Sequence, residues 1–163
     1  MLNSVIYARD KWLRQDGKGL MYPSIAYMYV CPVEMTDYLN DNLNYWLNYY
    51  QLNYEPVMKV MRQTLLEKPI VELVKREQLI DEEKIYASLD LSRVTLKDME
   101  MLQQYGMEFS ATRDAKLHGF CFWFDVIFLT DDEVVTLSTS PAAAPTHWKQ
   151  TITLLPNALQ TIH

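Results

Sequence analysis

Residues 134–150 read VVTLSTSPAAAPTHWKQ. Val135, Leu137 and Thr139 alternate with Thr136 and Ser138, the two-residue period of a half-buried strand. Pro141 and Pro145 bracket three alanines, and a proline cannot donate to a ladder, so the chain must leave the sheet there. It re-enters at Trp148 and alternates again through KQTITLL. Thr146, His147 and Trp148 therefore stand where a loop becomes a strand, a place from which side chains can face a neighbouring surface. On the plain reading His147 is a turn residue and Trp148 a plug of the core.

Upstream, Lys116–Leu129 alternates over its whole length. Phe120, Phe122, Phe124, Val126 and Phe128 point one way, and Cys121, Trp123, Asp125 and Ile127 the other. Thr130-Asp-Asp-Glu133 is a polar turn into the opening stretch, its acidic cluster a solvated hairpin tip. Further strands are expected over Ser24–Val30, Ile70–Val74, Lys84–Leu91 and Gly106–Arg113. Ser24–Val30 is apolar on both faces, so it is covered on both sides. In Lys84–Leu91, residues Ile85, Ala87, Leu89 and Leu91 share one face. Thr95 and Asp98 have capping-box spacing, opening a short helix through Gln103.

Two stretches change to a helical period. Leu2, Val5, Ile6, Trp12 and Leu13 give one apolar face, ended by Gly17 and Gly19. That face needs a partner layer. From Thr36, residues Leu39, Leu43, Trp46, Leu47 and Tyr50 are spaced for one helix, with Thr36 or Asp37 able to cap it. Asn53 and Pro56 break it, and Val57, Val60, Met61 and Leu65 make a second helix with Pro56 in its first turn. Pro32 and Pro69 bound this aromatic-rich hairpin, which is inserted between strands. It either folds over the same core as a lid or docks on another chain. Tyr22-Pro23 reads as a plain turn proline.

Composition narrows the class. The chain has 163 residues, 49% hydrophobic and 22% charged, with a net charge of −6. That is an ordinary globular balance, and the acidic excess argues against nucleic acid held by a basic surface. Cys31 and Cys121 lack ligand spacing and read as reduced core residues of an intracellular protein. His118, His147 and His163 form no metal motif, so no metal is expected. The apolar run Gly119–Leu129 is interrupted by Asp125 and too short for a membrane span, and the first ten residues, with Arg9 and Asp10, are followed by no apolar core of signal-peptide length.

Ser-Thr-Ser-Pro followed by Thr-His-Trp-Lys-Gln-Thr resembles the C-terminal β-barrel domain of the protein arginine methyltransferases, type I branch. LNSVIYARDKWL resembles the last helix of that family's cofactor domain, and HGFCFWFDVIF the long barrel strand before Ser-Thr-Ser-Pro. The order of elements agrees from Leu2 to about Leu155. The resemblance implies a mainly β fold with inserted helices: a partial β-barrel, a helical hairpin arm and an N-terminal helix. It places residues 1–22 as the terminal helix and hinge of a cofactor domain and residues 23–163 as the barrel domain. The arm occupies about 32–69, with Leu43, Trp46, Leu47 and Tyr50 on its docking face. Pro23 becomes the hinge, its peptide cis. Thr146, His147 and Trp148 become the substrate-side loop, in which the histidine pairs with an acid from the cofactor domain.

Implied with the family are S-adenosylmethionine as methyl donor, Arg-rich proteins such as histones as substrates, and homo- or heterodimers with arginine methyltransferase chains. A cytoplasmic or nuclear location is implied as well. Methyl transfer to arginine needs a Gly-rich cradle for the donor and paired carboxylates for the guanidinium. Glycines 17, 19, 106 and 119 form no GxGxG turn, and no Glu pair matches the family's double-Glu loop. No catalytic set is therefore complete in this chain, and no cofactor binding or methylation is expected of it alone. Family members continue beyond the Lys-Gln-Thr strand to close the barrel, whereas PNALQTIH ends this sequence, which reads as a fragment or truncated product with open edges. The alternative is a non-catalytic partner that dimerises with full-length enzymes and modulates them. A third reading, from the aromatic strands alone, is a small barrel around an apolar ligand.

Overall fold

The alternating runs form strands and the helical-period runs form helices. In order they are α1 (Leu2–Trp12), β1 (Ile25–Val33), α2 (Thr36–Asn42), a 3-10 helix (Asn44–Gln51) and α3 (Glu55–Glu67). Then follow β2 (Ile70–Glu72), a short 3-10 turn (Arg76–Gln78), β3 (Lys84–Asp90), α4 (Leu96–Glu100), β4 (Ala115–Leu129), β5 (Val134–Ser138) and β6 (Gln150–Thr161). This computed structural model describes residues 2–14, 16, 18–102, 106–130 and 132–161. Gly17, Gln103, Asp131 and His163 lie outside the described residues, so the helix end at Gly17, the end of α4 at Gln103 and the acidic tip at Asp131 are not described.

The fold is mainly β. One antiparallel sheet runs β2-β6-β4-β1-β3, with β5 also on β4, and among the described residues it does not close into a barrel. The spine is β4, because one of its edges serves two partners. Its first half, Ala115 to Phe122, pairs with β6, and its second half, Asp125 to Leu129, pairs with β5. The chain therefore leaves the edge after β5, makes the proline-bracketed loop, and returns to the same edge as β6.

Alternation sorts β1 and β4 onto two cores. Cys31, Val33, Cys121 and Trp123 join Met35, Val74 and Ile152 on one face. Ala26 and Val126 face the other way, with Ile6, Leu89, Leu91 and Val94. Full burial of a side chain such as Ile152 stabilises by roughly 1.5–3 kcal/mol. Cys31 and Cys121 are paired across the β1–β4 ladder, free and buried. Burial pushes their thiols up to about 11 and about 12, so they are inert packing groups.

Several expectations need correction. Gly106–Arg113 is not a strand: its backbone bonds go to a loop instead, Ser110 N–H to the Asp81 carboxylate and Thr112 N–H to the Ile80 carbonyl. Ile70–Val74 is a strand only to Glu72, because Val74 N–H turns to the Gln150 side chain. Pro32 does not break β1, which runs to Val33. Its carbonyl accepts from Ile80 N–H on the edge where the β3 ladder has ended at Val30, so the missing donor costs no ladder bond. Ile85 does not share the face of Ala87: the register slips between Met28 and Tyr29, leaving Tyr86 as the extra residue and Ile85 exposed. β6 begins at Gln150 rather than Trp148, because Lys149 has φ 54°, and it runs through Pro156 to Thr161.

The helices differ too. α1 does not wait for an outside layer over its whole face, since Ile6 and Leu2 pack on the sheet, while Trp12 is 67% exposed. Arg9 fixes this contact by donating to the Leu91 and Val94 carbonyls at 3.0 and 2.7 Å. The Tyr22–Pro23 peptide is cis. The Thr95–Asp98 capping box forms as expected. The helix expected through Tyr50 is two helices, α2 and the 3-10 helix, joined at Leu43. Met35, with no side-chain cap, precedes α2 in place of a Thr36 or Asp37 cap. Thr36 instead donates to Glu34 Oε1.

Glu34 anchors the base of the hairpin. Its carboxylate accepts from Arg113 at 2.8 Å, Lys116 N–H at 3.3 Å and Thr36 at 3.2 Å. Burial by itself would raise its pKa, but these donors together hold it below the ordinary 4.5. A folded pKa below the unfolded one means the unfolded chain binds more protons as pH falls. The stabilisation is complete above about 4.5 and is lost as pH drops through the folded value. Glu72, Asp90 and Asp98 are also held low, chiefly by Lys149, Ser92 and Thr95. Glu34→Gln should therefore flatten, without abolishing, the fall of the thermal midpoint between neutral and acid pH. An unchanged slope would assign the acid sensitivity to the other three.

Candidate functional site

Two buried polar residues hold the loop between β5 and β6 at its base. Thr139, where β5 ends, donates its hydroxyl to the Phe124 carbonyl at 2.7 Å and accepts from Phe124 N–H at 3.1 Å. Gln150, where β6 begins, donates Nε2 to the Thr139 carbonyl at 2.8 Å, and its Oε1 accepts from Val74 N–H at 2.8 Å. Both side chains are buried, so these bonds are shielded from water and worth more than surface ones. The loop is thereby closed into a stiff frame across ten intervening positions.

On that frame the sequence-identified residues come together. Lys149, in the left-handed region, turns its N–H back to the Thr146 carbonyl at 3.2 Å. The turn lays the His147 ring over Trp148, with centroids 3.9 Å apart and planes at 33°. Trp148 in turn packs edge-on to Phe124 at 5.9 Å and is 40% exposed, so it is no core plug. His147 is exposed and forms no ion pair among the described residues. Among the described residues, Thr146 Oγ1 is buried without a hydrogen-bond partner, as is Asp125 Oδ1. Lys149 is tied to Glu72 at 2.9 Å, which fixes the loop against β2. An exposed indole carrying an imidazole can offer a π face and a proton-handling nitrogen to a cationic group.

The hairpin is a separate surface. Leu43 is buried and Trp46 half-buried, but Leu47 is exposed and Tyr50 is 77% exposed, so the four do not share one buried face. The change from α to 3-10 winding after Leu43 alters their phase, and Tyr50 has φ 52°. Trp46 is held within the hairpin by Tyr45, Tyr49 and Tyr54, at 5.7, 5.3 and 5.8 Å. Of the second helix, Val57 and Val60 are exposed, whereas Met61 and Leu65 are half-buried. Neither the loop nor the hairpin holds a metal-like cluster among the described residues. Among the described residues, no helix is long and apolar enough to cross a membrane.

Sequence reasoning missed Thr139, Gln150, Glu72 and Glu34. Each is a lone polar residue whose partner lies elsewhere in the chain, so no local pattern announces it.

Residues 24–162 match the family described as the arginine methyltransferase oligomerization subdomain. Protein arginine N-methyltransferase 1 of Chlamydomonas reinhardtii is 33% identical over 159 residues, covering 98% of this chain and 44% of that protein. Protein arginine N-methyltransferase 6 of Xenopus tropicalis is 37% identical over 164 residues, covering 98% and 47%. Among solved structures, a chain of the Trypanosoma brucei PRMT1 enzyme-prozyme heterotetrameric complex with AdoHcy superposes with TM-score 0.80 and 30% identity, over 99% of this chain and 49% of that one. Arabidopsis thaliana protein arginine methyltransferase 10, at 24% identity and TM-score 0.71, shares the fold. The chain thus spans about half the length of the relatives it matches. It belongs to the protein arginine methyltransferase family, as that family's C-terminal barrel domain.

Proposed function

We propose that this chain forms the barrel and substrate-facing wall of a protein arginine N-methyltransferase, which moves a methyl group from S-adenosylmethionine to a protein arginine. The observation that carries the reading is the exposed His147–Trp148 stack on a loop pinned at both ends by Thr139 and Gln150. The donor and the guanidinium-binding carboxylates sit in a cofactor domain. This chain supplies a wall that orients the incoming arginine, and His147 pairs there with an acid of that domain. In a protein that joins this chain to a cofactor domain, His147→Ala should lower turnover roughly 10- to 100-fold, the scale of lost positioning. S-adenosylmethionine affinity should stay within about twofold. A matching loss of cofactor affinity would move His147 out of the substrate wall.

The hairpin favours a companion reading, in which the chain pairs with an arginine methyltransferase chain, catalytic or not. Its exposed Leu47, Tyr50, Val57 and Val60 are costly to leave in water. The Trypanosoma brucei relative is itself found in an enzyme–prozyme complex. Leu47→Ser and Tyr50→Ser together should weaken association about tenfold or more in sedimentation, with the thermal midpoint nearly unchanged because both residues are exposed. Unaltered association, or a wild type that sediments as a monomer with or without a full-length relative, would make the hairpin a lid on its own sheet.

A further inference from the structure

Between the hairpin and β6 lies a groove of about 360 Å3. Leu39 and Leu43 wall it from the first part of the hairpin, Leu65 and Leu66 from α3, and Leu154 and Leu159 from β6. Its volume falls in the range of small-molecule sites, for which roughly 300–1,000 Å3 is usual, and the leucines share the lining with polar side chains such as Thr36, Asn40 and Asn44. Among the described residues, the charged ones in the lining are Arg62 and Lys116, and no Asp or Glu lines it. That asymmetry runs against a chain with 21 acidic and 15 basic residues. Neither side chain has an ion-pair partner among the described residues.

The remaining polar lining is already engaged or neutral. Asn44 donates to Asn40 at 2.7 Å, and Gln160 donates to the Ala115 carbonyl at 3.1 Å. His118 is buried and its Nδ1 accepts from Met35 N–H at 3.1 Å, which fixes the Nε2–H tautomer of a neutral ring. Burial holds its pKa below the ordinary 6.5. Glu34, whose charge acts on His118, is taken up by Arg113, Thr36 and the Lys116 N–H and lies outside the lining.

We propose that this groove binds an anionic amphiphile, a medium-chain carboxylate with its tail along the leucines and its head between Arg62 and Lys116. A cationic ligand would meet like charge at the rim. A purely apolar ligand would gain nothing from either cation, both of which are exposed at the rim. Arginine matches a carboxylate with two parallel hydrogen bonds, and lysine adds a mobile charge.

The test is an NMR titration of the intact chain with octanoate below its micelle concentration, alongside 1-octanol. Octanoate should saturate, shifting amides of Leu39, Leu65 and Leu154, and octanol should bind at least about tenfold more weakly. Arg62→Glu, an exposed site whose change leaves the thermal midpoint in place, should weaken octanoate about tenfold and leave octanol unchanged. Leu65→Trp should fill the groove and remove both. Absent or non-saturating binding, equal affinities for acid and alcohol, or octanoate binding indifferent to Arg62→Glu would each overturn the proposal.

Discussion

Gly119→Ala should destabilise the fold by about 3 kcal/mol or more, the upper end of what a single added methyl costs a packed interior. A Cβ at this position would stand 2.1 Å from the Thr153 carbonyl oxygen and 3.0 Å from Leu154 Cα, all backbone. No rotamer change relieves such a clash; β6 itself must move away from β4. The pairing register slips between Leu117 and Gly119, where β6 crowds the spine closely. Glycine is required there by approach rather than by dihedral freedom. Moving β6 is expensive because it carries Ile152, buried in the larger core, and Gln150, which frames the loop. Urea denaturation of the variant should show a much lower midpoint, or no cooperative transition. A loss under about 1 kcal/mol would mean that β6 gives way easily and is no fixed frame.

How much of this was legible depends on where each determinant lies. Strand β4 was readable because its apolar residues alternate on both faces for fourteen expected positions, Lys116–Leu129, and the strand found differs by one residue at its start. The capping box of α4 was readable because both partners lie three residues apart. The proline-bracketed exit from the sheet was readable for the same reason: the breaker acts where it stands. Determinants acting at a distance were not. Gly106–Arg113 has strand-like composition, yet Asp81 and Ile80 take its backbone bonds, and a competing loop leaves no mark in the local sequence. The bulge at Tyr86 turned Ile85 outward although its spacing with Ala87 was correct. In the hairpin, a 3.6-residue period was extrapolated through Leu43 into a 3-10 segment, and the phase was lost there. At the loop, Thr146, His147 and Trp148 were found through resemblance, and the stack itself depends on the left-handed turn at Lys149. The frame beneath them was invisible, since Gln150 reaches a partner 76 residues away in Val74.

That frame gives the second large effect. Gln150→Leu keeps the volume but removes both hydrogen bonds of a side chain that is 4% exposed. Val74 N–H loses its acceptor and the Thr139 carbonyl a donor. Each unsatisfied buried group costs about 1–3 kcal/mol, so a total near 2–5 kcal/mol is expected, less whatever water can enter. The same substitution unties Thr139 from the start of β6, and with it the spacing that sets Trp148 edge-on to Phe124. Stability and loop geometry should therefore fail together. Thr139→Val supplies the control. It breaks the two hydroxyl bonds to Phe124 on the β5 side while leaving the backbone bond from Thr139 N–H to the Phe124 carbonyl, and the Gln150 bonds to Val74 N–H and the Thr139 carbonyl, in place. Because the two residues share one network, the double variant should lose less than the sum of the singles. The readouts are the urea midpoint for stability and the Trp148 indole resonance for the loop. If Gln150→Leu shifts neither, the loop is held by Lys149 and Glu72 alone. If it lowers the midpoint but leaves the indole in place, Gln150 supports the core rather than the loop. Loss of both, with strong coupling to Thr139, makes Gln150 the positioning residue on which the His147–Trp148 stack rests.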